Sequence, residues 1–150
     1  YGLPYYHLPV TAATKPDQEA RMLSVIEDQQ VDLLVLARYM QILSDDLCRA
    51  LGGRAINIHH SFLPGFKGAR PYHQAYERGV KVIGATAHYV TSDLDEGPII
   101  AQEVRPIGHE TSVEQMIHLG HDIEATALSQ AVRLHCEQRV MLNGQRTVIL

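Results

Sequence analysis

Apolar positions recur along this chain with two periods, and each change of period marks an element. Tyr5-Tyr6-His7-Leu8-Pro9-Val10 is a short β-prone run that Pro9 brings to an end. From Lys15 to Gln29, Met22, Leu23 and Ile26 recur at helical spacing, with Glu19, Glu27 and Asp28 turned outward. Thr14 stands as the N-cap of this helix, and Pro16 and Asp17 fall in its first turn. Val31 to Ala37 is nearly continuous apolar sequence, the pattern of a parallel strand buried on both faces. Arg38 to Leu43 follows as an apolar loop, and Ser44 then caps a helix that Asp45 and Asp46 favour and Gly52-Gly53 stops.

The period returns to two over Ala55–His59. Ser61 to Ala69 is a loop punctuated by glycine and proline, after which Pro71 opens a short helix closed by Gly79. Val82 to Val90 reads as a strand with Thr86 and His88 on one face and Ala85, Ala87 and Tyr89 on the other. Ile99 to Ile107 reads as a further strand. Thr111-Ser112-Val113-Glu114 reads as a capping box before a long helix from Ser112 to about Glu137. Val140 to Ile149 is a hairpin pattern with Asn143-Gly144 as a type I′ turn. Strands alternating with helices predict an α/β fold: a doubly wound, mostly parallel sheet with a C-terminal β-hairpin.

Composition narrows the function without choosing it. The chain has 150 residues, of which 45% are hydrophobic, enough for one domain with a core. Its 13 Lys and Arg against 17 Asp and Glu give a net charge of −4, so no basic footprint for nucleic acid is present. No apolar run approaches the roughly 20 residues of a membrane span, and Tyr1 to Tyr6 lacks the charged-then-apolar pattern of a signal. Cys48 and Cys136 lie far apart in no metal-like spacing, so the default expectation is a reduced, cytoplasmic protein. His118 and His121 share a helix face at i, i+3, but no third ligand has a supporting motif. They read as helix-surface residues, and no metal is expected.

The candidate chemistry lies at Ile56-Asn57-Ile58-His59-His60-Ser61-Phe62-Leu63-Pro64 and at His88 to Ile100. Both are apolar strands that deliver polar side chains to a carboxyl end and break into a loop, the edge where open α/β sheets bind ligands. Asn57 and His59 are two apart and share a face. The amide donates to an oxygen as it becomes negative, and the imidazole moves a proton near neutral pH. Asp95, in the later loop, is placed to reach that imidazole. An amide, an imidazole and a carboxylate without a Ser or Cys nucleophile point to direct attack by water or an amine on an acyl group. The apolar Met40, Ile42 and Leu43 suit a pocket for a flat ligand, or a loop that packs on the next helix. Lys67 and Arg70 are candidate contacts for an anion, although Lys67 reads first as a solvated side chain.

Asn57-Ile58-His59-His60-Ser61-Phe62-Leu63-Pro64-Gly65-Phe66-Lys67-Gly68-Ala69-Arg70-Pro71-Tyr72, then Gly84-Ala85-Thr86-Ala87-His88-Tyr89-Val90 and Leu94-Asp95-Glu96-Gly97-Pro98-Ile99-Ile100, resembles the folate-dependent formyltransferase family. The resemblance runs from about Gly2 to Leu150. It implies Asn57, His59 and Asp95 as the catalytic positions. It also implies that Met40, Gln41, Ile42 and Leu43, with Val90, Thr91, Ser92 and Leu94, hold the pterin of 10-formyltetrahydrofolate, largely through backbone groups. That folate would be substrate, with no further cofactor. The expected partners are this small molecule and copies of the chain in a homo-oligomer, without nucleic acid or membrane. His60, where the amine-transferring branch usually has proline, and Gly68 to Tyr76 resemble the hydrolytic branch, which releases formate for purine biosynthesis. Transfer to glycinamide ribonucleotide, or an inactive folate-binding fragment, are the alternatives. The resemblance further implies that residues 1–150 are a catalytic domain without its first strand and helix or an N-terminal regulatory domain.

Overall fold

A computed structural model describes residues 2–61 and 70–150. Its elements are α1 (Lys15–Asp28), β1 (Leu34–Leu36), α2 (Asp45–Ala50), β2 (Ala55–His59), α3 (Pro71–Arg78), β3 (Val82–Tyr89), β4 (Ile99–Pro106), α4 (Val113–Cys136), β5 (Val140–Asn143) and β6 (Arg146–Ile149). β1 to β4 form one sheet in chain order, and β5 and β6 pair separately as the expected C-terminal hairpin.

The two faces of β2 show how the period of the sequence builds the layers. Ala55 joins Ile26, Leu36, Leu43, Leu47 and Leu51 on the face covered by α1 and α2. Ile56, one residue on, joins Ala87, Tyr89, Ala131 and Leu134 on the opposite face, where α4 lies. Ile83, Ala85, Met116 and Ile123 extend that second layer. Ile56 is completely buried, and truncating such a side chain to alanine ordinarily costs about 2–5 kcal/mol. Tyr89 also ties the layers by a polar contact, its hydroxyl standing 2.7 Å from Nδ1 of His135 on α4. Helices thus cover both faces, as the doubly wound reading requires.

Strand direction is where the expectation needs correction. β1 and β2 are parallel, but β2–β3 and β3–β4 are antiparallel, so the pairing among these four strands is mixed. Residues 90–98 connect β3 to β4, and a parallel return would take a crossover of roughly a dozen residues or more. β1 is also shorter than Val31–Ala37. The amide of Val31 is spent on the carbonyl of Ile26 at the end of α1, Arg38 turns left-handed at φ 54°, and Val35 is exposed rather than buried on both faces.

Smaller differences have equally local causes. Tyr5 to Val10 forms no strand, and Leu3 and Tyr5 stand exposed. Thr14 is the N-cap of α1, but its hydroxyl accepts from the Thr11 amide at 3.0 Å instead of from the helix. Ser44 caps α2 as expected, accepting from Leu47. The capping box of α4 is Ser112 with Gln115, each side chain accepting from the other's amide. Thr111 instead accepts from the Gly108 amide. In the hairpin, Asn143 pairs with Arg146, and only Gly144 of the two intervening residues has a positive φ, the signature of a type II′ turn. His118 and His121 are exposed on α4. Among the described residues no group of three or more His, Cys, Asp or Glu is placed to hold a metal ion, and no helix is long and apolar enough to cross a membrane.

Candidate active site

The register between β2 and β3 assembles the site. Asn57 pairs with His88, and His59 with Thr86, so four polar side chains lie on the sheet face opposite α4. Thr86 is completely buried, and a buried hydroxyl is costly unless bonded. Its Oγ1 donates to the Ser61 carbonyl at 3.0 Å and accepts from Gln102 Nε2 at 3.0 Å. That pair fixes the chain just after His59 and His60. The sequence reading singled out Asn57 and His59 but gave Thr86, His88 and Gln102 no role. The signal was present in the Thr-x-His alternation, which mirrors Asn-x-His across the antiparallel pair.

Asp95 arrives by a different route from the one expected. Since β2 and β3 run antiparallel, their carboxyl ends lie apart, and the loop after β3 folds back over the polar face. The Tyr89 amide donates to the Pro98 carbonyl at 2.9 Å and the Val90 amide to the Ala55 carbonyl at 2.9 Å. These bonds close residues 90–98 into a tethered loop. A Cβ on Gly97 would lie 1.7 Å from the Tyr89 carbonyl oxygen, so only glycine permits this close approach. Asp95 itself is left-handed at φ 58°, a conformation that short polar side chains tolerate better than most. Its Oδ1 stands 3.2 Å from His59 Nδ1 and 3.8 Å from His88 Nε2.

These contacts decide where protons sit. His88 Nδ1 is 2.9 Å from the Tyr89 carbonyl, which only accepts, so Nδ1 carries the hydrogen. Nε2 of the neutral ring then accepts from Asn57 Nδ2 at 3.4 Å, which orients the amide and leaves its second N–H free to donate. Burial holds the His88 pKa below the ordinary imidazole range, against the Tyr89 carbonyl and Asp95. Burial also lowers the pKa of His59; Asp95 opposes this, and His60 and His88 add to it. His59 therefore rests neutral, with Nδ1–H directed at Asp95, and its buried Nε2 has no hydrogen-bond partner among the described residues. An imidazolium arises only when that nitrogen takes a proton. The ring of His60 stacks on His59, with centroids 4.8 Å apart and planes at 21°.

The two segments named for the pterin meet on one apolar cluster. Leu43 is buried in it and Val90 packs against it, while Cys48 of α2 donates its thiol hydrogen to the Thr91 carbonyl at 3.4 Å. Met40, Ile42 and Leu94 are exposed apolar side chains, and Gln41 and Ser92 are exposed as well. A pocket of about 310 Å³ opens beside the loop, lined by Val90, Thr91 and Ser92 together with Cys48, Arg49 and Leu142. Asn57, His59 and Asp95 stand outside that lining, so the pocket lies next to the chemistry rather than around it. Arg70 is exposed and left-handed at the start of α3; Lys67 lies outside the described residues.

Comparison with known proteins places this geometry. The model of the formyl transferase family matches residues 7–132. Over all 150 residues the chain is 58% identical to formyltetrahydrofolate deformylase of Corynebacterium sp. (strain P-1), covering 52% of that protein. It is 47% identical to the deformylase of Escherichia coli (strain K12), covering 54% of it. The chain thus spans about half the length of the curated relatives it matches. The crystal structure of the Burkholderia mallei deformylase matches with a TM-score of 0.95 at 58% identity, over 99% of this chain and 53% of that one. Glycinamide ribonucleotide transformylase 1 from Symbiobacterium toebii matches less closely, with a TM-score of 0.85 at 35% identity, over 94% of this chain and 68% of that one. A family match across most of the chain and a shared fold at this level of identity leave one conclusion: the chain belongs to the formyl transferase family.

Proposed function

We propose that the protein hydrolyses 10-formyltetrahydrofolate to formate and tetrahydrofolate, supplying formate for purine biosynthesis, with Asn57, His59 and Asp95 as its catalytic residues. The observation that carries this reading is the His59–Asp95 pair at 3.2 Å, with Nε2 of the neutral His59 ring left without a partner among the described residues. In that state the ring is a general base backed by a carboxylate. Water attacks the formyl carbon as His59 Nε2 takes one of its protons, and the new C–O bond leaves a tetrahedral oxyanion. The Asn57 N–H donates to that oxygen, and Asp95 stabilises the imidazolium. Collapse breaks the bond to the folate nitrogen, which collects the proton from His59. Formic acid leaves and ionises to formate, so atoms and charge balance.

Met40, Gln41, Ile42 and Leu43, with Val90, Thr91, Ser92 and Leu94, would hold the pterin. The exposure of Met40, Ile42 and Leu94 beside a firmly packed Leu43 supports this role. The 150 residues are read as the catalytic domain, in a cytoplasmic homo-oligomer.

Transfer of formyl to glycinamide ribonucleotide is the second reading, favoured by the 35% identity to a transformylase. The higher identity to deformylases supports water as the acceptor. The test follows formate and folate product together from the full protein and 10-formyltetrahydrofolate, with and without that amine. Formate should appear with water alone, and the amine should not accelerate turnover. Acceleration, with formyl found on the amine, would replace this reading by the transferase.

A further inference from the structure

His60 is the residue next to the triad that the mechanism above does not use. Its ring lies against that of His59, with centroids 4.8 Å apart and planes 21° from parallel. Its Nε2 is buried and has no hydrogen-bond partner among the described residues, the same condition as Nε2 of His59. A buried polar atom without a partner is costly, and two on adjacent stacked rings are unusual in a packed interior. Stacking alone accounts for the flat rings but not for the nitrogens.

A water molecule has two hydrogens to give, one for each of two acceptor nitrogens carried on neighbouring stacked rings. We propose that His60 is a further catalytic residue: its Nε2 accepts one hydrogen of the attacking water while His59 Nε2 accepts the other. Held at both hydrogens, the water presents its lone pairs outward, toward a formyl carbon. His59, with Asp95 behind Nδ1, takes the proton, because the imidazolium forms beside the carboxylate. Two charges at stacking distance would repel, and the lowering of the His59 pKa by His60 is that repulsion. The proton later leaves on the folate nitrogen and the oxygen leaves in formate, so the balance is that of the hydrolysis above.

This inference rests on the hydrolytic reading, and the experiment separates the two.

His60→Phe keeps a flat ring for stacking and removes both nitrogens. In the full protein it should lower kcat for formate release by about 10²-fold, the order expected when a reacting group is left misplaced, with KM for 10-formyltetrahydrofolate little changed. Imidazole added to His60→Gly should restore part of the rate. Wild-type formate release by His60→Phe would show that the ring only packs and would overturn this inference alone. Absence of formate from the unsubstituted protein would overturn the hydrolytic reading, and the inference with it.

Discussion

Gly97→Ala is the sharpest test of how the site is built, because it replaces none of the polar side chains. The added Cβ would stand 1.7 Å from the Tyr89 carbonyl oxygen, 2.9 Å from its carbonyl carbon and 3.1 Å from His88 Nδ1. Ordinary nonbonded contact lies at roughly 3.5 Å, so the loop must move off β3 by well over an ångström. The two nearest obstacles are backbone atoms of Tyr89, so no side-chain rotation can relieve them. Moving the loop strains the Tyr89-to-Pro98 hydrogen bond, which is 2.9 Å long here, and carries Asp95 away from His59. Overpacking of this kind costs about 1–3 kcal/mol, and in a domain of this size each kcal/mol lowers Tm by roughly 2–4 °C. The chemical loss should be larger, since a misplacement of about 1 Å in a reacting group can cost 10²-fold. Gly97→Ala should therefore fold, melt a few degrees lower by circular dichroism, and release formate at least ~10²-fold more slowly. A variant with normal turnover and normal melting would refute the claim that this contact sets the position of Asp95.

Three further outcomes follow from the same geometry. His59→Ala should lower turnover by at least ~10²-fold, the usual loss with a general acid or base, with folate binding measured by fluorescence titration little changed. Burial lowers the pKa of both His59 and His88, so the unfolded chain binds protons that the folded chain refuses. The associated stability is full above the unfolded imidazole value of about 6.5 and is lost as pH falls through it; Tm should drop between pH 7.5 and 5.5, and His88→Gln should flatten that slope. Formate release should survive exhaustive chelation, measured before and after dialysis against EDTA, and activity regained only on adding back a stoichiometric metal would count against the acid–base route.

Much of this arrangement was legible in the residues, because period two is a direct statement about faces. Asn57 and His59 against Ile56 and Ile58, and Thr86 and His88 against Ala85, Ala87 and Tyr89, sort onto the layers that the structure shows. What periodicity does not state is direction: the same alternation serves a parallel or an antiparallel neighbour. The clue was the short link of residues 90–98, and without it the convergence of His88 with Asn57 stays hidden. The capping box was misplaced by one residue because Thr111-x-x-Glu114 and Ser112-x-x-Gln115 both fit the pattern, and only the second lies where α4 begins. Gly97 could be read as a turn residue, but its reason is a carbonyl from the preceding strand, which no local pattern displays.

The boundary between Ala55 and Ile56 has a thermodynamic consequence. Ala55 belongs to the layer of α1, β1 and α2, and Ile56 to the layer of β3, β4 and α4. The first layer joins the sheet through a ladder of only three residue pairs, Leu34–Ala55 to Leu36–Asn57. Local opening follows such seams, and regions with few shared contacts open at lower free energy than the molecule as a whole. Leu43 sits in the first layer, whereas His59 and His88 stand on strands paired to each other. A ligand that touches both therefore spans two units of differing opening free energy, and binding joins them into one. Amide exchange over α1, β1 and α2 is then a gauge of occupancy: fast in the empty protein, and slowed on binding toward the rate set by global unfolding.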